Sequence, residues 1–144
     1  MGMVRVAVVY FSKSTKTISD QAKALAASIE ARGAQVDLID GSKTHDAKLT
    51  GHHFLAIGCD VRSLFKGTLP RELKGFLANS GLISGKRSMA WVSSAPVGAQ
   101  RTLLQLMRAM EGEGMLIRTS EVLAKPEDGT IAGRRLKIDG LTVS

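Results

Sequence analysis

Cysteine is nearly absent from this sequence. Cys59 is alone among 144 residues, so no disulfide can form within the chain and a thiolate-rich zinc site is excluded. Histidine is scarce too, with only His45, His52 and His53. The adjacent pair would point to opposite faces of a strand, which fits surface or strand-edge positions better than metal ligation. Aromatic residues make up 4%, too few to furnish a stacking platform for single-stranded nucleic acid. No apolar run is long enough to cross a bilayer as a helix. The chain opens on a strand-like run where a secretory leader would stand. Position 6 is Val where a myristoylation signal after Gly2 needs Ser or Thr. A cytoplasmic location is therefore expected.

Apolar and basic residues are plentiful. Hydrophobic residues account for 44% of the chain, which argues for a packed core, and the length fits one domain over residues 1–144. Lys and Arg number 20 against 13 Asp and Glu, a net charge of +7. Such a surface attracts anions without naming them. The cations are scattered, with Lys86–Arg87 and Arg134–Arg135 the longest basic pairs, and a dedicated nucleic-acid stripe is not favoured.

Hydrophobic periodicity sets out the elements. Residues 4–11, VRVAVVYF, read as a strand buried on both faces. A polar loop, SKSTKT, leads into a helix whose Ile18, Ala22, Leu25, Ala26 and Ile29 share one face and which ends at Gly33. Further strands are predicted over 35–40, 53–59, 88–93 and 115–123. Helices are predicted near Leu73–Phe76–Leu77, over 99–111 with Leu103, Leu106, Met107 and Met110 inward, and over 127–136. A weak helix is expected within 41–52, and the tail KIDGLTVS is an extra strand or a loose end. This alternation implies a parallel sheet covered on both faces.

The chemistry begins at Ser12, Lys13, Ser14, Thr15, Lys16 and Thr17. The loop joins a buried strand to a helix N-terminus, where free N–H groups and the helix dipole attract an anion. Hydroxyls and two lysines add donors and charge. Composition alone fits a phosphate cradle or an ordinary helix cap with solvated lysines equally well.

The run YFSKSTKT resembles the phosphate loop of the flavodoxins: a hydrophobic strand, then Ser/Thr-x-Ser/Thr-Gly-x-Thr, then a helix. Ser12, Ser14 and Thr17 match, while Thr15 stands where the family has Gly. A β-branched residue is costly there if φ must be positive. Downstream, Gly58, Val61, Pro70, Leu73, Lys74, Phe76 and Leu77 follow the family's third-strand stretch, and AWVSSAPVG resembles its next flavin-facing loop. The resemblance spans about residues 4–136. It implies a flavodoxin-like doubly wound α/β fold with five parallel strands in the order 2-1-3-4-5 and helices on both faces. It also implies FMN as cofactor. Residues 12–17 would hold the phosphate. Cys59, Asp60, Val61, Arg62 and Phe65, together with Ser93, Ser94, Ala95 and Gly98, would flank the ring. Such proteins pass electrons to a partner protein or small-molecule acceptor, and many related enzymes are homodimers.

Several features depart from that family. The ring-flanking loops offer no stacking aromatic except Phe65, because Trp91 lies inside a strand and reads as core. Flavodoxins are typically acidic, which keeps their reduced flavin strongly reducing. A charge of +7, with Arg62 beside the ring, implies a higher potential, as in a flavin-dependent oxidoreductase. Cys59 reads as a small buried residue, although nearby Arg62 would act to lower its pKa. Two rival readings remain: a descendant of the fold that has lost flavin and serves as a binding module, and a receiver domain phosphorylated at Asp60. Ser93 or Ser94 and Lys125–Pro126 stand where a receiver has its partner residues, but the acidic metal ligands after the first strand are missing.

Overall fold

The computed structural model describes residues 3–13, 16–44, 46–62 and 68–138. Its elements run β1 (Arg5–Phe11), α1 (Thr17–Glu30), β2 (Gln35–Asp40), β3 (Phe54–Cys59), α2 (Leu73–Ala78), β4 (Arg87–Ser93), α3 (Ala99–Gly112), β5 (Leu116–Leu123) and α4 (Pro126–Arg135). The strands form one parallel sheet in the order β2-β1-β3-β4-β5, as the sequence implies.

The continuous apolar run of β1 divides between two cores. Val6 and Val8 join Ile18, Ala22, Leu25 and Ile29 of α1 and Ala132 of α4 on one face. Ala7, Val9 and Phe11 face the other way, toward Leu73, Phe76 and Leu77 of α2 and Leu103, Leu106 and Met110 of α3. Every residue of β3 is buried. Side chains alternate along a strand, so a strand apolar at every position needs both faces covered. On the second face the Phe11 and Phe76 rings meet edge to face, 5.4 Å apart at 87°, a favoured geometry for aromatic quadrupoles.

Two close approaches set the first face. The Trp91 indole is fully buried and lies against Gly58 of β3, where a Cβ would collide with the ring. Helices α1 and α4 pack through Gly129 and Gly133. A Cβ at Gly129 would lie 2.5 Å from the Gln21 carbonyl oxygen, and one at Gly133 would lie 2.7 Å from Ser28 Oγ. Ser28 Oγ donates to the Thr130 carbonyl at 2.7 Å, tying α1 to α4, and Gln21 Nε2 donates to the Leu123 carbonyl at 2.8 Å, tying α1 to the sheet.

The weak helix expected within 41–52 does not form among the described residues. Asp40 turns the chain instead. Its Oδ1 accepts the Ser42 N–H at 3.0 Å, and its carbonyl accepts the N–H groups of Lys43 and Thr44, a local alternative to helix that Asp favours. Leu49 plugs the α2 side of the core with Ala47 packed on the same cluster, and its N–H donates to the Ser80 carbonyl at 2.7 Å. Ile138, in the expected tail element, is buried beside α4, and the rest of the tail lies outside the described residues.

Gly58→Ala should force the Trp91 indole to move, with a loss of about 1–3 kcal/mol typical of overpacking. A lowered urea midpoint with an unchanged slope would show this.

Candidate functional site

In a doubly wound sheet, ligands gather beyond the carboxyl ends of the strands where successive connections diverge to opposite sides. Here that point lies between β1 and β3. The chain leaves β1 toward β2 on one side, whereas β3 continues toward β4 on the other. Phe11 and Cys59 are register partners at that edge, and Cys59 also pairs with Val92 near the end of β4. The loops after β1, β3 and β4 therefore share one rim.

Asp60 is the hinge of this rim. Its side chain is only 8% exposed, yet both oxygens are satisfied. Oδ2 accepts the backbone N–H of Lys13 at 2.8 Å, and Oδ1 accepts Arg62 Nε at 2.9 Å. Arg62 Nη2 reaches Glu72 Oε1 at 3.4 Å, just before α2. Ser42 Oγ donates to the same Glu72 oxygen at 2.9 Å and lies 3.3 Å from the Ser12 carbonyl. The loops after β1, β2 and β3 and the entry to α2 are thus joined in one polar network. Burial alone would raise the Glu72 pKa. The backbone N–H of Glu72, the Ser42 hydroxyl and the Arg62 guanidinium outweigh that and hold its carboxyl below the ordinary value of 4.5.

This company changes the expected part of Arg62. It is not a lone cation facing a ring, because two carboxylates grip it. Cys59 is fully buried with its side chain in the α2–α3 core. Burial and the neighbouring Asp60 push its thiol up to about 12, against a smaller opposing pull from Arg62. Only its backbone stands at the rim. Val61 is half-buried and packs on the same core. Neither Asp60 nor Cys59 presents a free nucleophile.

The first loop delivers a helix start. Lys16 is exposed and occupies the cap position of α1 with no side-chain cap bond, and Thr17 opens the helix half-buried. The first helical bond runs from the Asp20 N–H to the Lys16 carbonyl at 2.8 Å. The N–H groups before it are those a helix leaves to a cap, water or ligand. Lys13 is exposed and Ser12 half-buried. Ser14, Thr15 and Phe65 lie outside the described residues.

The third loop makes a second helix start. Ser93 is buried at the end of β4, and the Ser94 N–H donates to the Leu123 carbonyl at 2.8 Å. Gly98 adopts φ 93°, a left-handed conformation that glycine tolerates without strain, and caps α3 with no side-chain bond. Around it, Ala95 to Arg101 line a groove of about 480 Å³. Trp91 takes no part, since it is buried on the opposite face of the sheet from α3.

His52 and His53 sit at the other end of the sheet. His52 is buried just before β3, with Nε2 2.7 Å from Asp37 Oδ2, and His53 Nδ1 accepts the Arg5 N–H at 2.9 Å. His45 lies outside the described residues. Sequence reasoning missed Ser42 and Glu72. They lie 30 residues apart, and only the folded rim brings them together.

No protein-family model matches the sequence, and no curated protein matches it. Solved structures do. An archaeal flavodoxin superposes with a TM-score of 0.72 at 20% identity, over 93% of this chain and 94% of that one. Oxidised Flavodoxin 1 from Bacillus cereus gives 0.69 at 16%, over 92% and 99%. Two-electron reduced flavodoxin from Megasphaera elsdenii gives 0.69 at 16%, over 90% and 96%.

Two tests follow from the site. The Cys59 thiol should resist iodoacetamide in the folded protein and react once it is denatured, read by mass spectrometry. Because the Glu72 pKa is depressed on folding, its contribution to stability is present above about pH 4.5 and is lost as the pH falls through the lowered value. Glu72→Gln should therefore be less stable than the parent at neutral pH in urea titrations, with the gap narrowing as the pH falls through the lowered pKa. The sheet order, the two-sided helical cover and these superpositions together make the fold of this chain flavodoxin-like.

Proposed function

We propose that this protein is an FMN-binding redox domain. The observation that carries the proposal is the pair of helix starts, α1 and α3, opening without side-chain caps on the rim where three strand-end loops meet. A dianionic phosphate fits the first. The α1 N–H groups, the Thr17 hydroxyl and the Lys16 charge would hold it, and nearby Lys13 adds to the potential. The groove at Ala95–Arg101 and the segment from Cys59 to Arg62 fit the flavin ring, with backbone groups as polar partners. The flavin, when bound, supplies the redox chemistry. The chain's own residues bind it, orient it and set the surrounding charge.

That charge is more mixed than the overall +7 suggests. Asp60 and Glu72 bring two carboxylates to the guanidinium of Arg62, while Lys13 and Lys16 at the start of α1 and Arg101 at the groove stand on the same rim. The carboxylates neutralise Arg62 and so temper the upward shift in potential expected from that residue. The similarity to flavodoxins, one of them solved in a two-electron reduced form, supports a redox role. Electrons would pass to a partner protein or small-molecule acceptor.

One observation favours the alternative of a binding module without flavin: the Asp60 carboxylate already occupies the Lys13 N–H. The receiver reading gains nothing, because both Asp60 oxygens are engaged.

The test is an absorbance spectrum of the purified protein followed by FMN titration. Yellow bands or quenched FMN fluorescence are expected. Lys16→Ala combined with Thr17→Ala should weaken FMN binding by about 2–3 kcal/mol through lost charge-assisted hydrogen bonds. A colourless protein that leaves FMN fluorescence untouched would sink the proposal.

A further inference from the structure

A second groove, of about 640 Å³, lies at the far end of the sheet, between the amino-terminal parts of β4 and β5 and the C-terminal end of α4. Its volume is that of a small-ligand site. Buried Ala132 and Leu136 contribute its apolar floor. Among the described residues, Arg87, Arg118, Arg135 and Lys137 stand around the rim, four cations against the carboxylate of Glu121.

These cations are not committed elsewhere, as Arg62 and Lys86 are. Arg62 binds two carboxylates, and Lys86 Nζ donates to the Thr50 and His52 carbonyls at 2.9 and 2.6 Å. The side chains of Arg87, Arg118, Arg135 and Lys137 form no hydrogen bond or ion pair with any described residue. Basic residues at a helix C-terminus commonly cap its last carbonyls. At α4 that work is done by Arg32, whose Nη1 donates to the Gly133 and Leu136 carbonyls at 2.8 and 2.7 Å. Arg135 and Lys137 make no bond to those two carbonyls among the described residues.

Arg118 is placed by an irregularity of the sheet. Ser88 pairs with Ile117 and Met89 with Thr119, so Arg118 is an extra residue on β5. A bulge of this kind re-aims side chains at the end of a strand. It sets Arg118 on the groove rim and Thr119 in its lining.

Four cations around one concavity, with no partner among the described residues, repel each other, and an entering polyanion relieves that repulsion. Guanidinium forks match phosphate oxygens in two-point contacts. A lone carboxylate would leave most of the rim unpaired, whereas two linked phosphates offer enough oxygens for several cations at once. We propose that this groove binds the diphosphate group of a small phosphorylated molecule. The site is separate from the candidate flavin rim and does not depend on that reading.

The test is calorimetric titration of the full chain with inorganic pyrophosphate in about 150 mM NaCl, where diffuse surface attraction is largely screened. Saturable binding at one site is expected. Arg118→Ala with Arg135→Ala should weaken it by about tenfold or more, and Lys137→Ala alone by about threefold. FMN titrations of the same variants should be unchanged. No saturable binding would overturn the proposal. So would an affinity that survives the double substitution but is lost in Lys16→Ala, which would put the anion at the first loop. Tight, steeply salt-dependent binding of a short DNA duplex without saturation by pyrophosphate would make the groove a nucleic-acid patch and equally overturn it.

Discussion

The architecture depends on one requirement: β1, β3 and β4 are apolar on both sides and must be kept from water on both. All of β3 and nearly all of β4 are buried. Parallel strands need crossovers, and the crossovers deliver the helices that satisfy the requirement. With α1 and α4 on one face and α2 and α3 on the other, the chain must change sides after returning to the middle of the sheet. The change falls between β1 and β3, so the crevice at the carboxyl rim is a by-product of burying the core.

The same requirement explains what was readable in advance. β1, β3 and β4 were legible because they are largely apolar runs, β2 because it alternates, and α1 and α3 because their apolar residues recur at helical spacing. The segment between β2 and β3 was misread. Its structure comes from the Asp40 side chain and from Leu49 reaching a distant core, and neither leaves a period in the sequence. At the rim, residue types were visible but not their partners. Arg62 reads as an available cation until the fold sets Glu72 and Asp60 beside it. The grip on Glu72 by Ser42 depends on loops that meet only in three dimensions.

Global and local charge are set by different residues here. The chain is strongly basic, and at its candidate redox rim Asp60 and Glu72 neutralise Arg62 while Lys13, Lys16 and Arg101 stand nearby. Long-range attraction of anionic partners follows the total, whereas the energy of a bound group follows its immediate neighbours. A basic protein can therefore draw in anions through its total charge while carboxylates beside one guanidinium temper the field that a bound group feels there.

The bulge in β5 also bears on solubility. β5 is an outer strand, and no strand pairs with its far side among the described residues. An open row of backbone donors and acceptors invites another chain to extend the sheet, the first step toward aggregation. The extra residue breaks the regular spacing such a docking strand would need, and it is an arginine. A second copy arriving edge to edge would bring like charges together as well as a mismatched ladder, so the irregularity helps to keep the molecules apart in a crowded solution.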